Sequence, residues 1–398
     1  MGPLATLAAH ELLEVLLPQP AHPAVLWLSL SLLFLIFTYA GYPGLILLRA
    51  RLFPRRRPHG PGAGPLPSIT CVVAAHDEGE LLVRKVQNLL ALDYPAERLE
   101  VVIADDGSRD GAPARARALA PGRVRVSSNP VQLGKPSALG RAVRLARGEL
   151  LLLCDSRQRF DAGAARALAR PFSDPRVGAV TGRLELDGAR GPGAYWRYET
   201  AIRRAEGRCG SVVGATGAIY AVRRELFPAP LPPETLLDDV YVPMRVVLGG
   251  REVVYAADAV AYDRELDLGR EFTRKVRTLA GNYQLLALLP SLLTPANPLF
   301  LRFFWHKVAR LLCPWALGVS LAAAWLAPGL LPQALFALQL YFYGLALVGH
   351  LRLGRTGRVT ALCHTFVALN LAALWALWAL TSRQARVAWV QTSTLGDL

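Results

Sequence analysis

What most limits the folds open to this chain is that long apolar stretches lie at both ends of a polar middle. Ala24–Leu48, AVLWLSLSLLFLIFTYAGYPGLILL, is long enough to cross the hydrocarbon core of a bilayer. Three more candidate spans fall at residues 306–327, 331–351 and 359–381. A lipid-embedded helix satisfies its own backbone, whereas a mixed polar sequence does not. The chain therefore divides into membrane segments at its ends and a water-facing domain between them. Its 53% hydrophobic content is high for a soluble protein and agrees with that division.

Orientation follows from the arginines. The first span has no basic leader and no cleavage site, so it reads as a retained helix. Residues 1–23 before it hold a short apolar patch broken by prolines, expected to be interfacial or disordered. Arg49, Arg51, Arg55, Arg56 and Arg57 follow the span at once and place that end in the cytoplasm. Residues 49–67 as a whole form a basic linker rich in Pro and Gly. Arg302, Lys307 and Arg310, then Arg352, Arg355 and Arg358, agree with a cytoplasmic middle domain. Arg383 and Arg386 favour a cytoplasmic C-terminus, yet three spans leaving a cytoplasmic domain would end outside. A re-entrant segment or a different span count would reconcile the two.

The net charge of +15 fits cytoplasmic loops and an anionic lipid surface. Nucleic acid is not expected as a partner, because the basic clusters lack the stacking aromatics of a single-strand binder. The five cysteines are scattered through apolar contexts and read as small core residues, not as a disulfide framework or zinc site.

From Ser68 the pattern alternates. ITCVVA, LEVVIA, RVRVS and ELLLLC read as strands, with helices at LLVRKVQNLLAL and KPSALGRAVRLAR. Such alternation predicts an α/β domain over residues 68–267, with a mixed, mostly parallel sheet and helices on both faces. Later strands are expected at VGAVTGRLELDG, GAIYAVRR and REVVYAADAVAY, some of them antiparallel, with a helix at LDDVYVPMRVVLGG. Residues 268–305 then carry one basic and one apolar face, the pattern of interfacial helices, and 306–398 form the C-terminal membrane region with about three spans.

Polar clusters punctuate the middle domain. Asp77 and Glu78 follow the first strand, Asp105 and Asp106 end the second, and Asp155 with Arg157 ends the leucine run. Asp238 and Asp239 open a helix. Singly, each could be a turn or an N-cap. Carboxylates at successive carboxyl ends of parallel strands converge in one crevice, so together they predict a site.

In order and spacing, AHDE, DDGS, GKPSAL, CDSR, GATGAIYAVRR, LDDV and RKVRT resemble the membrane-integrated family 2 glycosyltransferases, the group containing cellulose, chitin and hyaluronan synthases. The resemblance covers about residues 68–280. It implies a GT-A fold that binds a nucleotide-sugar donor and inverts the anomeric centre. By position, Asp106 would bond the nucleotide base, with Asp105, Asp77 and Glu78 lining the same pocket. Lys135 would approach the diphosphate. Asp155 matches the first carboxylate of the Asp-x-Asp motif and so the metal position, occupied in such enzymes by Mg²⁺ or Mn²⁺. Asp239 matches the general base, Asp238 and Gly217 the acceptor side, and Arg274 and Arg277 the Gln and Arg of Gln-x-x-Arg-Trp.

Elementary chemistry asks for the same residue types. An attacking hydroxyl must lose its proton to a nearby carboxylate. A departing nucleoside diphosphate gathers charge that cations must stabilise. Two positions depart from the family pattern. Arg157 replaces the second Asp of Asp-x-Asp, removing an expected oxygen ligand for a divalent ion. If the strand continued past Asp155, then Arg157 and Arg159 would share its face, and Arg157 could supply the missing charge. Thr278 stands where Trp is expected, which points away from processive polymerisation.

The expected protein is an integral membrane inverting glycosyltransferase, its domain at the cytoplasmic face of a bacterial plasma membrane. Its acceptor would be a lipid, a lipid-linked sugar or a polysaccharide, and its small number of spans leaves room for a homo-oligomer or other polysaccharide-assembly subunits. The competing expectation is a non-catalytic membrane subunit that keeps the nucleotide fold only for binding.

Overall fold

A computed structural model of the chain describes residues 22–55, 65–187, 194–264, 268–351 and 357–382. Most of the N-terminal segment, Arg56, Arg57, Arg352, Arg355, Arg383 and Arg386 lie outside the described residues. The chain divides into two compact units, residues 1–43 with 305–378, and residues 44–304 with 379–398.

The larger unit is built on an eight-stranded sheet in the order β3-β2-β1-β4-β7-β6-β8-β5. Its first half is parallel: β1 (Ile69–Ala75) lies between β2 (Leu99–Asp105) and β4 (Leu150–Asp155), and β3 (Val124–Ser128) flanks β2. Both faces are covered, so β1, β2 and β4 read as nearly unbroken apolar runs and are buried along almost their whole length. The helices are α1 (Pro23–Leu52, shared with the smaller unit), α2 (Gly79–Leu90), α3 (Ala112–Ala118) and α4 (Lys135–Leu145). Leu82, Val86 and Leu89 of α2 recur at helical spacing and pack with Val73, Ile103 and Leu152 into one core. Truncating Leu152 to Ala would cost about 2–5 kcal/mol, the usual range for a filled core site.

The second half is mixed. β7 (Tyr220–Arg223) runs antiparallel to β4 and to β6 (Val177–Asp187), β6 is parallel to β8 (Glu252–Arg264), and the short β5 (Arg159–Phe160) is antiparallel to β8. The helices here are α5 (Ala164–Ala169), α6 (Ala194–Arg208), α7 (Asp238–Leu248) and α8 (Leu268–Leu288). Helix α6 was not legible in the pattern. Ile202 and Ala205 are buried, but most of its other positions are charged or polar, so no continuous apolar stripe marks it.

The strand after the leucine run does not continue. β4 stops at Asp155, and residues 156–158 bend before β5. The cause lies on α2: Asn88 clamps Phe160 through its side chain, accepting from Phe160 N at 2.7 Å and donating to Phe160 O at 3.0 Å. Buried Lys85 donates to Gln158 O at 2.8 Å and sits 3.3 Å from the Phe160 ring centroid. The expectation that Asp155, Arg157 and Arg159 share a strand face is therefore corrected. Arg159 stacks instead on Tyr262, 4.6 Å from the ring centroid.

In the smaller unit, α1 packs with α9 (Phe300–Leu326), α10 (Leu330–Leu351) and α11 (Arg358–Thr381). All four helices are long and apolar enough to cross a membrane. Small residues allow close packing, as where Leu28 meets Ala323 and Ala324. Phe37 lies edge-on to Trp305 with centroids 4.4 Å apart, and the Tyr39 hydroxyl reaches Asn370 at 3.5 Å. Leu33, Trp325 and Trp375 remain outward-facing, a dress suited to lipid. All five cysteines are buried and free.

Candidate active site

Register brings the strand ends level. Asp105 pairs with Ala75 across β2 and β1, and Asp155 pairs with Ala74 across β4 and β1. The carboxyl ends of three adjacent parallel strands thus open on one side, with α4 starting at Lys135 and α7 at Asp238 above them.

The centre is a lysine. Lys135 Nζ lies 3.0 Å from Asp155 Oδ1 and 3.0 Å from Asp238 Oδ1. Burial alone would lower its pKa, but the two carboxylates raise it well above the usual ammonium range. Burial likewise opposes ionisation of Asp155, and Lys135 and Arg157 overcome it to hold that carboxyl below its usual value. Asp238 also accepts from the buried Tyr220 hydroxyl at 3.4 Å, a phenol pushed well above 10 by burial and by that carboxylate. From α8, Arg277 acts electrostatically on Asp155, Asp238 and Asp239; burial draws its pKa down and the three carboxylates oppose that. Three cations and three carboxylates therefore share the site.

Asp239 is set beside this bridge by backbone. Its Oδ2 accepts from Gly217 N at 2.8 Å, and its carbonyl accepts from Ala215 N at 2.8 Å. The first turn of α7 is thereby tied to residues 215–217, with both carboxylates at the favourable positive end of the helix. Asp239 and Gly217, distant in sequence, meet here.

The residues expected on the nucleotide side bind one another and the loops around them. Asp106 is 1% exposed and spends its oxygens on the loop before α4. Oδ1 accepts from Asn129 Nδ2 at 2.7 Å and Leu133 N at 2.8 Å, and Oδ2 from Gly134 N at 2.8 Å. It is the keystone of that loop, so its place in the site is one of support. Gly107 lets the loop approach: its φ is +79° and a methyl there would lie 2.8 Å from Val131 C. Asp105 is buried and caps Ser108 N at 2.9 Å. Asp77 adopts φ +50° and accepts from Arg109 N at 2.6 Å. Glu78, mostly enclosed, is pushed up to about 7 by burial, with Asp155 adding to the rise and Ser156 and Arg157 opposing it.

Arg157 lies on the bend with its side chain 33% exposed, and its charge partner is Asp263, 3.7 Å away. Asp263 also takes the Gln158 amide at 2.8 Å. Arg274 lies one turn before Arg277, where its carbonyl accepts the Thr278 hydroxyl at 2.9 Å.

Several contributors carried no sequence signal of their own. Gln284 accepts from Leu236 N at 2.9 Å and donates to Glu234 O at 3.0 Å, fixing the segment that leads into Asp238. Gly281 makes this docking possible, because a side chain there would collide with Leu237. Asn129 and Asp263 are buried polar groups whose partners lie far along the chain. Only the polar end of β8 hinted at Asp263.

A divalent ion fits this donor set poorly. The Asp155 carboxylate already meets Lys135, the second motif position is a guanidinium, and among the described residues no group of three His, Cys, Asp or Glu is arranged to hold a metal ion.

Comparisons with known proteins agree with this architecture. Residues 70–228 match the glycosyl transferase family 2 profile. An N-acetylglucosaminyltransferase of Rhizobium sp. (strain N33) is 26% identical over 220 residues, covering 50% of this chain and 49% of that protein. A beta-monoglucosyldiacylglycerol synthase of Trichormus variabilis is 28% identical over 151 residues, covering 37% of this chain and 31% of that protein. The chain thus spans about half the length, or less, of these curated relatives. Among solved structures, the mannosyltransferase PcManGT from Pyrobaculum calidifontis, in complex with GDP-Man and Mn²⁺, superposes with a TM-score of 0.61 at 22% identity, covering 94% of this chain and 100% of that one. Residues 70–228 thus match a family 2 glycosyltransferase domain, the fold is of GT-A type, and the described residues include four helices able to cross a membrane.

Proposed function

We propose that this protein is an inverting, membrane-bound glycosyltransferase that moves one sugar from a nucleotide donor to a lipid or lipid-linked acceptor. The observation that carries the reading is the Lys135 bridge between Asp155 and Asp238, with Asp239 next in the chain and Arg277 coupled electrostatically to all three carboxylates. Cations for a diphosphate and a carboxylate for a proton stand together, as sugar transfer requires. The similarity to an N-acetylglucosaminyltransferase and to a beta-monoglucosyldiacylglycerol synthase supports glycan or glycolipid synthesis.

In the proposed reaction, Asp239 takes the proton of the acceptor hydroxyl. The acceptor oxygen attacks the anomeric carbon from the face opposite the diphosphate. The carbon–oxygen bond to the diphosphate breaks, and its electron pair leaves with the nucleoside diphosphate. Lys135, Arg277 and Arg157 meet the charge that develops there, the arginines through a planar fork suited to phosphate oxygens. Glu78, Asp77 and Asp105 shape the donor pocket, and the loop held by Asp106 closes it. Thr278, in place of an acceptor-stacking Trp, favours single transfer over chain growth. The basic linker after α1 supports a catalytic unit at the cytoplasmic face of a bacterial plasma membrane.

The test uses full-length protein in native-lipid vesicles with a panel of labelled nucleotide sugars. Label passing into an organic-extractable product of fixed size, with stoichiometric release of nucleoside diphosphate, supports the reading. Donor binding without turnover across the panel would instead favour a non-catalytic binding subunit, and a ladder of products would favour polymerisation.

A further inference from the structure

We propose that Lys135, Arg157 and Arg277 together replace the divalent metal, so that this protein binds its donor diphosphate and transfers sugar without a metal ion. The proposal rests on the glycosyltransferase reading above and concerns how the same site handles charge.

Three observations carry it. The first is the geometry of Lys135. Its ammonium bridges two carboxylates at 3.0 Å each, one from the end of β4 and one from the start of α7, as a divalent ion would bridge two ligands. An ammonium has three N–H donors, and two meet carboxylates here, leaving one for a diphosphate oxygen.

The second is the charge exchange at Arg157. Replacing a carboxylate with a guanidinium changes the local charge by two units, from −1 to +1, which is the charge a divalent ion would bring. Removing one ligand also weakens any ion's hold on the site. The same substitution therefore discourages the metal and supplies its charge. The Lys85 and Asn88 clamps on Gln158 and Phe160 hold the bend on which Arg157 sits, two residues after Asp155. Its ion pair with Asp263 is long, at 3.7 Å, so its fork retains donors for a bidentate phosphate contact.

The third is Arg277 on a separate helix, whose buried Nε has no hydrogen-bond partner among the described residues and whose charge couples to Asp155, Asp238 and Asp239. A metal entering this site would be placed among three cations, whereas a diphosphate would be welcomed by them.

The experiment uses full-length protein in lipid nanodiscs and measures binding of UDP, GDP and ADP by calorimetry, in excess EDTA and then in Mn²⁺. The expected result is that whichever nucleotide binds does so with dissociation constants within about threefold in the two conditions, with transfer rates following. Weakening of tenfold or more on chelation, restored by Mn²⁺, would overturn the proposal. Arg157→Asp, which completes the acidic motif, is expected to bind at least tenfold more weakly in EDTA and to recover with Mn²⁺. Wild-type binding by Arg157→Asp in EDTA would also overturn it. Recovery of Arg157→Asp with Mn²⁺ shows that the variant is folded, which separates loss of charge from loss of fold. Absence of binding by all three nucleotides in both conditions would overturn the glycosyltransferase reading itself, and the proposal with it.

Discussion

The two sides of the site are held by different kinds of structure. On the proposed donor side, Asp105 and Asp155 end β2 and β4 on either side of β1, and the register alone brings them level, with Asp77 just after β1. On the proposed acceptor side, Asp238 and Asp239 open α7, and they are placed by long-range contacts. Gly217 and Ala215 tie Asp239, while Gln284 on α8 fixes the segment before both. One side is positioned by sheet geometry, which the core stabilises collectively. The other depends on a handful of hydrogen bonds and one close helix approach, so single substitutions should separate transfer from donor binding there.

The largest effect is expected at the residue joining the two sides. Lys135→Met leaves two carboxylates facing each other, Asp238 being 5% exposed, without their cation. Transfer should be lost and nucleotide affinity should fall at least hundredfold. Stability should drop by about 3–5 kcal/mol in denaturant titration, the range for removing one partner of a buried pair. Unchanged affinity would show that the bridge does not face the diphosphate.

A smaller effect is expected from α8. Gln284→Ala removes both bonds to the segment before Asp238, and Gly281→Ala pushes the helix off Leu237. Gln284→Ala should lower kcat about tenfold while nucleotide affinity moves less than twofold, since a misplaced base is felt only in the transition state, whereas Gly281→Ala, which moves Arg277 with the helix, should weaken both. Equal loss of both in Gln284→Ala would mean that this residue supports the whole site. The donor-side counterpart is Asp106→Asn. The new amide would present a donor to Gly134 N, so the loop should loosen, at a stability cost of about 1–3 kcal/mol. There, KM for the donor should rise with kcat nearly unchanged.

The smallest effect concerns Glu78, whose carboxyl is pushed up to about 7 from 4.5, chiefly by burial. Between those values the folded state binds more protons than the unfolded chain, so this residue's contribution to stability falls as pH rises through the window. Measured as a difference, wild type should lose stability relative to Glu78→Gln from about pH 4.5 to pH 7, and the difference should be flat below pH 4. A difference independent of pH would show that Glu78 ionises normally.

The same contrast explains what could be read in the sequence. The leucine run ending at Asp155, the apolar strand before Asp105 and the helical spacing of Leu82, Val86 and Leu89 are local patterns with physical periods, and each emerged as an element. Asp239 and Gly217 could be singled out because each sits in a distinctive run. Gln284, Asn129 and Asp263 could not, since a polar residue becomes functional only when the fold supplies its partner. Arg159 was misplaced for a related reason: the clamp that ends β4 sits on Asn88 and Lys85 of α2, far upstream in the chain. Asp106 was legible as important, but which of its possible partners it holds depended on the path of residues 129–134.

The central claim is that Asp239 takes the acceptor proton while the cationic side holds the donor. Its most direct test compares wild type with Asp239→Asn in native-lipid vesicles, following transfer of labelled sugar and binding of the nucleoside diphosphate on the same preparation. The account predicts transfer reduced by roughly 10²–10⁴-fold, the usual contribution of a general base, with nucleotide affinity within about twofold of wild type. Transfer by Asp239→Asn at close to the wild-type rate would contradict it.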